Sequence, residues 1–198
     1  EVANNIKSTA SAILILLMVG ALAGTWMVSG IIPSMIYYGL QILSPAIFLP
    51  ATLIICSVIS IATGSSWTTS ATVGIALIGI GGALGFDLGM VAGAVISGAY
   101  FGDKLSPMSD TTNLAPAMAG TDLFTHIKYM TLTTIPTYII TLVLFIVLGL
   151  SVDVTGDANT DDLLNSITAS FNVTPWLFLV PVIVIGLIVK KTEPLVAL

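Results

Sequence analysis

Ile54-Ile55-Cys56-Ser57-Val58-Ile59-Ser60-Ile61-Ala62-Thr63-Gly64-Ser65-Ser66-Trp67-Thr68-Thr69-Ser70-Ala71-Thr72-Val73-Gly74-Ile75-Ala76-Leu77-Ile78 contains no charged residue. Its flanks are apolar. Its centre, 64–70, sets five hydroxyl residues into six successive positions beside a glycine and a tryptophan. The surroundings decide how this is read. No charge occurs between Lys7 and Asp87, a run of 79 residues. A membrane-spanning helix needs ~20 mostly apolar residues, so the run holds three or four spanning or half-spanning segments. One or two hydroxyls in such a helix bond back to the carbonyl four residues earlier. Five together indicate a broken helix, whose freed carbonyls and hydroxyls offer hard oxygen ligands at mid-membrane. Ser65, Ser66, Thr68 and Thr69 are the ligand candidates here. A weaker echo, Gly24-Thr25-Trp26-Met27-Val28-Ser29-Gly30, fits a related break or a glycine kink equally well.

The whole chain agrees with the run. Of 198 residues, 5 are Lys and 10 are Asp or Glu, and the 8% charged share compares with 56% hydrophobic. An ordinary soluble domain carries about 25% charged residues, and mean hydropathy here is +1.08. A soluble globular domain and a disordered chain are excluded. Net charge −5 without any Arg excludes a nucleic-acid partner. The single Cys56 excludes an internal disulfide framework and a Cys-rich metal site. Lipid offers an open backbone no partner, and no alternating barrel pattern occurs, so the spans are helical. The expectation is an all-α, polytopic transmembrane helical bundle.

One transmembrane region, 1–198, divides into an interrupted span over 11–43, a second over 48–84 and a short helix over 88–101. A polar site loop over 102–121, a span over 130–150, a loop over 151–174 and a span over 176–189 follow. The four Asp and no Lys between Asp153 and Asp162 place that loop on the non-cytoplasmic side, with Lys104, Lys128, Lys190 and Lys191 facing the cytoplasm. Three full crossings after Lys7 would put Lys104 outside, so one interrupted segment is expected to be re-entrant or doubled. Leu163, Leu164, Ile167 and Phe171 suggest a short interfacial helix. Gly81, Gly85, Gly89 and Gly93 with Ser97 recur every four residues; a turn at 85–87 is expected to split this stripe, which reads as packing rather than a dimer motif. Trp26, Trp67 and Trp176 are read as interface anchors, Trp67 least clearly. The chain starts at Glu1 and stops inside the apolar Pro194-Leu195-Val196-Ala197-Leu198, which leads us to expect part of a longer protein.

The second polar stretch is Phe101-Gly102-Asp103-Lys104-Leu105-Ser106-Pro107-Met108-Ser109-Asp110-Thr111-Thr112-Asn113-Leu114-Ala115-Pro116. Its carboxylates, hydroxyls and Asn carbonyl are the donors a small hard cation takes. Asp110 is read as the exchanging carboxylate with Asp103 assisting, and Ser109, Thr111, Thr112 and Asn113 shape the site. A carboxylate away from water holds its proton more tightly, and a bound cation displaces that proton. A single dehydrated site therefore binds either Na⁺ or H⁺. If it faces the two sides in turn, it exchanges them. Asp87 and Asp122 read as helix caps. His126, beside Lys128, is a candidate pH sensor.

These strings, with Ser97-Gly98-Ala99-Tyr100 and Gly120-Thr121-Asp122-Leu123-Phe124-Thr125-His126-Ile127, resemble the NhaC-type Na⁺/H⁺ antiporters. That family includes sodium-coupled malate/lactate exchangers. The resemblance covers nearly the whole chain, including Gly24-Thr25-Trp26, Tyr37-Tyr38-Gly39 and Lys190-Lys191. It implies a secondary transporter of the ion transporter superfamily, built from inverted repeats with re-entrant hairpins, in the bacterial inner membrane. It further implies Na⁺ and H⁺ as transported ions, no cofactor, and a first repeat of the same polypeptide as partner. Sodium-coupled malate/lactate exchange is the alternative, and homo-oligomerisation is left open. A cation channel is a further rival. An intramembrane aspartyl protease would need Gly-x-Gly-Asp, and Tyr100-Phe101-Gly102-Asp103 lacks the first glycine.

Overall fold

Helix follows helix because nearly every segment is apolar and uncharged, and turns fall where glycine, proline or a polar cap interrupts. The computed structural model describes residues 17, 20–22, 24–152 and 160–190. In chain order the helices are α1 (Gly20–Val28), α2 (Ile31–Ile42), α3 (Pro45–Thr63), α4 (Ser66–Thr69), α5 (Ile75–Ala83), α6 (Leu88–Leu105), α7 (Asp110–Ala119), α8 (Leu123–Ser151), α9 (Thr160–Ser170) and α10 (Leu179–Val189). A π segment, Ser70–Gly74, joins α4 to α5, and a 3₁₀ turn, Pro175–Phe178, leads into α10. No strand occurs among the described residues. The Asp153–Asp157 part of the acidic loop lies outside them.

α3 and α8 are each long and apolar enough to cross a membrane, with mean hydropathies of 2.2 and 2.1. Two bent pairs would raise the number of crossings to four: α1 with α2, bent 72°, and Leu164–Ser170 with Pro175–Val184, bent 86°. The chain is that of a multi-pass membrane protein.

The core lies where α3, α5 and α6 meet. Phe48, Leu49, Leu53, Leu77, Val91 and Val95 are buried there, and Phe145 of α8 closes one side. Phe48 stacks on Phe86 with ring centroids 5.4 Å apart. α6 can lie this close to α3 because Ala94, Gly98, Gly102 and Ser106, all buried, recur every four residues on its inner face. A Cβ at Gly98 would collide with the Leu53 carbonyl, and one at Gly102 would sit 2.5 Å from the Ser57 carbonyl oxygen. Small residues at this spacing let two backbones approach. The stripe marked from sequence is a different one. Gly81 is on α5, Gly85 turns the chain at φ 84°, and Gly89 and Gly93 are on α6, so the turn splits it as expected.

Two further expectations are corrected. Trp26 is no interface anchor: it is 3% exposed, packed with Leu22, Ile31, Ile32 and Val184, whereas Trp67 and Trp176 are exposed. The stretch 102–121 is mostly helical rather than a loop. α6 runs on to Leu105, and Ser109 opens α7 by accepting a hydrogen bond from the Thr112 N–H. Loop-like composition misled because Asp, Ser and Thr are also what helix N-termini use.

Candidate functional site

The break after α3 begins at Gly64, whose φ of 70° is a left-handed conformation that costs a side-chain-bearing residue about 1–2 kcal/mol. Ser65 follows in extended conformation and caps α4. Its Oγ accepts from the Thr68 N–H at 3.2 Å and from the Thr68 hydroxyl at 3.1 Å. Thr69 donates to the Ser65 carbonyl at 2.9 Å and Thr72 to the Thr68 carbonyl at 2.7 Å. Thr69 and Thr72 spend their protons on their own backbone and Thr68 spends its on Ser65 Oγ, which leaves their lone pairs as acceptors. Thr63 and Thr69 meet across the break, hydroxyl to hydroxyl at 3.4 Å. The π segment then continues the chain. Such bulges are rare and frequently sit at functional sites.

The two polar stretches meet. Ser66, buried in the first turn after the break, donates from Oγ to Asp103 Oδ2 at 2.9 Å. A Cβ on Gly64 would lie 2.7 Å from the Met108 carbonyl carbon, so the break and the turn after α6 are in backbone contact. Ser106 donates to the Ile61 carbonyl at 2.8 Å and Ser60 to the Ala99 carbonyl at 2.5 Å, tying α3 to α6 on either side of Asp103. Thr112, also buried, donates to the carbonyls of Asp103 and Lys104 at 3.0 and 3.2 Å, closing the end of α6.

The remaining candidates divide. Ser109 and Thr111 bond each other at 2.9 Å, and Asn113 donates to the carbonyls of Pro107 and Ser109 at 2.8 and 2.7 Å. All three shape the turn rather than face Asp103. Asp110 is exposed in the first turn of α7, and its carboxylate has no hydrogen bond among the described residues. A helix N-terminus favours that negative charge. His126 is half-buried in the first turn of α8. Asp87 and Asp122 cap α6 and α8, accepting from Met90 N–H and Thr125 N–H at 3.0 Å each. Among the described residues, no group of three His, Cys, Asp or Glu is arranged to hold a metal ion. What the junction offers a cation is one half-buried carboxylate among hydroxyl and carbonyl oxygens. Ser60 belongs to this junction and escaped the sequence reading, and Gly102 and Ser106 were read only as part of the polar stretch; the four-residue spacing of Ala94, Gly98, Gly102 and Ser106 around Asp103 was the signal for their packing role.

A profile of the Na⁺/H⁺ antiporter family matches residues 98–197, half of the chain. This chain belongs to the Na⁺/H⁺ antiporter family. The match opens at Gly98, within the seam that carries Asp103, and runs through α7 and α8. Individual antiporters extend the likeness over the first break as well. The malate-2H⁺/Na⁺-lactate antiporter of Bacillus subtilis is 47% identical over 195 residues, 96% of this chain and 41% of the relative. The Na⁺/H⁺ antiporter NhaC of Alkalihalophilus pseudofirmus is 42% identical over 188 residues, 95% of this chain and 41% of the relative. The arginine/ornithine antiporter ArcD of Halobacterium salinarum is 43% identical over 155 residues, 78% of this chain and 32% of the relative. The chain thus spans about two-fifths of the length of the first of these antiporters. No solved structure matches it.

Proposed function

We propose that this chain forms part of a secondary transporter that exchanges Na⁺ for H⁺ across the bacterial inner membrane, and that Asp103 is its exchanging carboxylate. The observation that carries the reading is the 2.9 Å contact between Ser66 and Asp103, which joins a broken helix to a half-buried acid. A carboxylate among oxygen ligands accepts either a proton or a hard cation. Na⁺ arriving at Asp103 displaces the proton, and a proton arriving from the other side displaces Na⁺. Ser66 and the acceptor lone pairs of Thr68 and Thr69 replace part of the ion's water shell. Asp110, exposed at the start of α7, draws cations toward the site. The transported ions are Na⁺ and H⁺, no cofactor takes part, and the protein is a transporter rather than an enzyme. It serves pH homeostasis, and its site is completed by the first repeat of the same polypeptide.

The test uses the full-length protein in inverted membrane vesicles lacking other antiporters. An acid-inside proton gradient is imposed, Na⁺ is added, and a pH-sensitive dye follows the collapse. Collapse that disappears in Asp103→Asn but survives in Asp110→Asn with a raised Na⁺ requirement supports the assignment. Collapse abolished only by Asp110→Asn moves the exchanging acid to α7. A second reading, sodium-coupled organic-acid exchange, rests on the malate/lactate relative at 47% identity. It predicts collapse only when malate or lactate accompanies Na⁺.

A further inference from the structure

α6 carries Asp103 in its last turn, and its two sides are held differently. Toward α3, the seam at Gly98, Gly102 and Ser106 fixes how near the two backbones lie. Contacts along one stripe still leave a helix free to roll about its own axis. The site is sensitive to that motion. A roll of about 10° carries a side-chain end about 5–6 Å from the axis through about 1 Å. That takes the 2.9 Å Ser66–Asp103 bond out of hydrogen-bond range. The opposite side of α6 meets α8. There Tyr138, half-buried, stacks its ring on Phe101, with centroids 3.8 Å apart and planes 25° from parallel. Its hydroxyl oxygen reaches α3 as well, 2.9 Å from the hydroxyl of Ser57, which also lies 2.7 Å from the Leu53 carbonyl oxygen. Ser57 is buried, and its own carbonyl oxygen is one of the atoms that Gly102 rests against. One side chain of α8 thus grips both helices where the seam closes beside Asp103. Ile96, Tyr100 and Lys104, close to Phe101 on α6, are exposed. The buried contacts of α8, Phe145 and Gly149, lie two and three turns further on, against Gly93 and Ala46.

We infer that Tyr138 is a positioning residue for Asp103, whose ring and hydroxyl together set the roll of α6 and so the distance from the carboxylate to Ser66. It acts through Phe101 and Ser57. The stack opposes rotation of residue 101 on one side of α6, and the hydroxyl contact ties the same ring to α3 on the other. The consequence for ion affinity rests on the reading of Asp103 as the exchanging acid. A tyrosine that only anchored α8 would behave differently. Its loss would lower the amount of folded protein, and with it the maximal rate, while each folded molecule kept its affinity for Na⁺.

Two measurements on the full-length protein test this. In the vesicle assay, Tyr138→Phe keeps the stack and loses the hydroxyl, and is expected to raise half-saturating Na⁺ about threefold. Tyr138→Leu loses both, and is expected to raise it about tenfold. In each, the maximal rate per inserted protein stays near wild type. Ser57→Ala combined with Tyr138→Phe is expected to be no worse than Tyr138→Phe alone, because the same contact is lost only once. Phe145→Leu, which loosens α8 two turns away, is expected to leave half-saturating Na⁺ unchanged. The second measurement does not depend on which ion is carried. Dicyclohexylcarbodiimide labels carboxyl groups of the protein in neutral detergent, and peptide masses give the labelling of Asp103 relative to Asp110. Tyr138→Leu is expected to raise that ratio about threefold or more as the bond to Ser66 is lost. The inference is overturned if Tyr138→Leu changes only the maximal rate, if Phe145→Leu raises half-saturating Na⁺ equally, or if the labelling ratio does not move. Wild-type vesicles without Na⁺-driven collapse overturn the exchange reading alone, and the labelling ratio then decides whether Tyr138 positions Asp103.

Discussion

Gly102→Ala is the sharpest perturbation of the α3–α6 seam. The added methyl would sit 2.5 Å from the Ser57 carbonyl oxygen, 2.5 Å from Ser60 Cβ and 2.7 Å from the Ile61 nitrogen. None of these is the end of a flexible side chain, so the helices themselves must part. Ordinary contact begins at 3.4 Å, which requires an opening of about 0.9 Å. Forcing one methyl into a packed core costs about 1–3 kcal/mol. The functional effect follows from sequence adjacency. Asp103 moves with Gly102, and an opening of that size takes the 2.9 Å Ser66–Asp103 bond past hydrogen-bond range. A hydrogen bond to a charged group is worth about 1.5–3 kcal/mol, so half-saturating Na⁺ should rise by about tenfold or more in the vesicle assay. Gly93→Ala is the matched control, since its methyl meets only Phe145 Cζ at 3.8 Å; that variant should transport like wild type. The reasoning is refuted if Gly102→Ala, correctly inserted in the membrane, keeps the wild-type Na⁺ requirement, or if Gly93→Ala impairs transport equally.

Ser66→Ala removes the same bond without moving a helix, so it should raise half-saturating Na⁺ about tenfold while lowering the melting temperature in detergent less than Gly102→Ala does. Gly64→Ala combines a φ of 70° with a methyl 2.7 Å from the Met108 carbonyl carbon; a loss of about 2 kcal/mol or more should appear as a clear fall in melting temperature. Asp122→Ala deletes the exposed cap of α8 and should cost about 0.5–2 kcal/mol, with Na⁺ exchange intact.

The helical, membrane-spanning character of the fold was legible because it rests on a quantity that sums along the chain. No local arrangement can hide 79 residues without a charge. The break at Gly64 was legible for a related reason, since hydroxyls crowd there beyond what a continuous helix uses. The pairing of Ser66 with Asp103 was not, because 37 residues separate them and nothing in either string names the other. Weight fell on Asp110 because it has the densest polar neighbours in sequence. Those neighbours cap α7 and hold its turn, and the carboxylate itself faces outward. Trp26 misled in the opposite direction. An amphipathic ring near a membrane suits an interface, but here a helix pair bent by 72° folds over it.

The π segment at Ser70–Gly74 makes chain length itself a constraint. A π turn accommodates one residue more than an α turn, which shifts the phase of everything beyond it by about 100° relative to an unbroken α-helix. Upstream of it, Thr68 and Thr69 are turned inward beside α3, and Gly74, at its end, rests on Val95 of α6. Downstream, Leu77 and Gly81 stay against the α3–α6 core while Ile80 lies over Gly39 and Gly79 beside Ile36, so α5 packs on α2 as well. One extra residue thus converts a hydroxyl-bearing helix into an apolar strut wedged between the α3–α6 core and α2. Substitutions at exposed positions around this segment leave that phase intact. Deleting a single residue from 70–74 would heal the helix and rotate α5's apolar face out of register with α2, a lesion that no later substitution within α5 repairs.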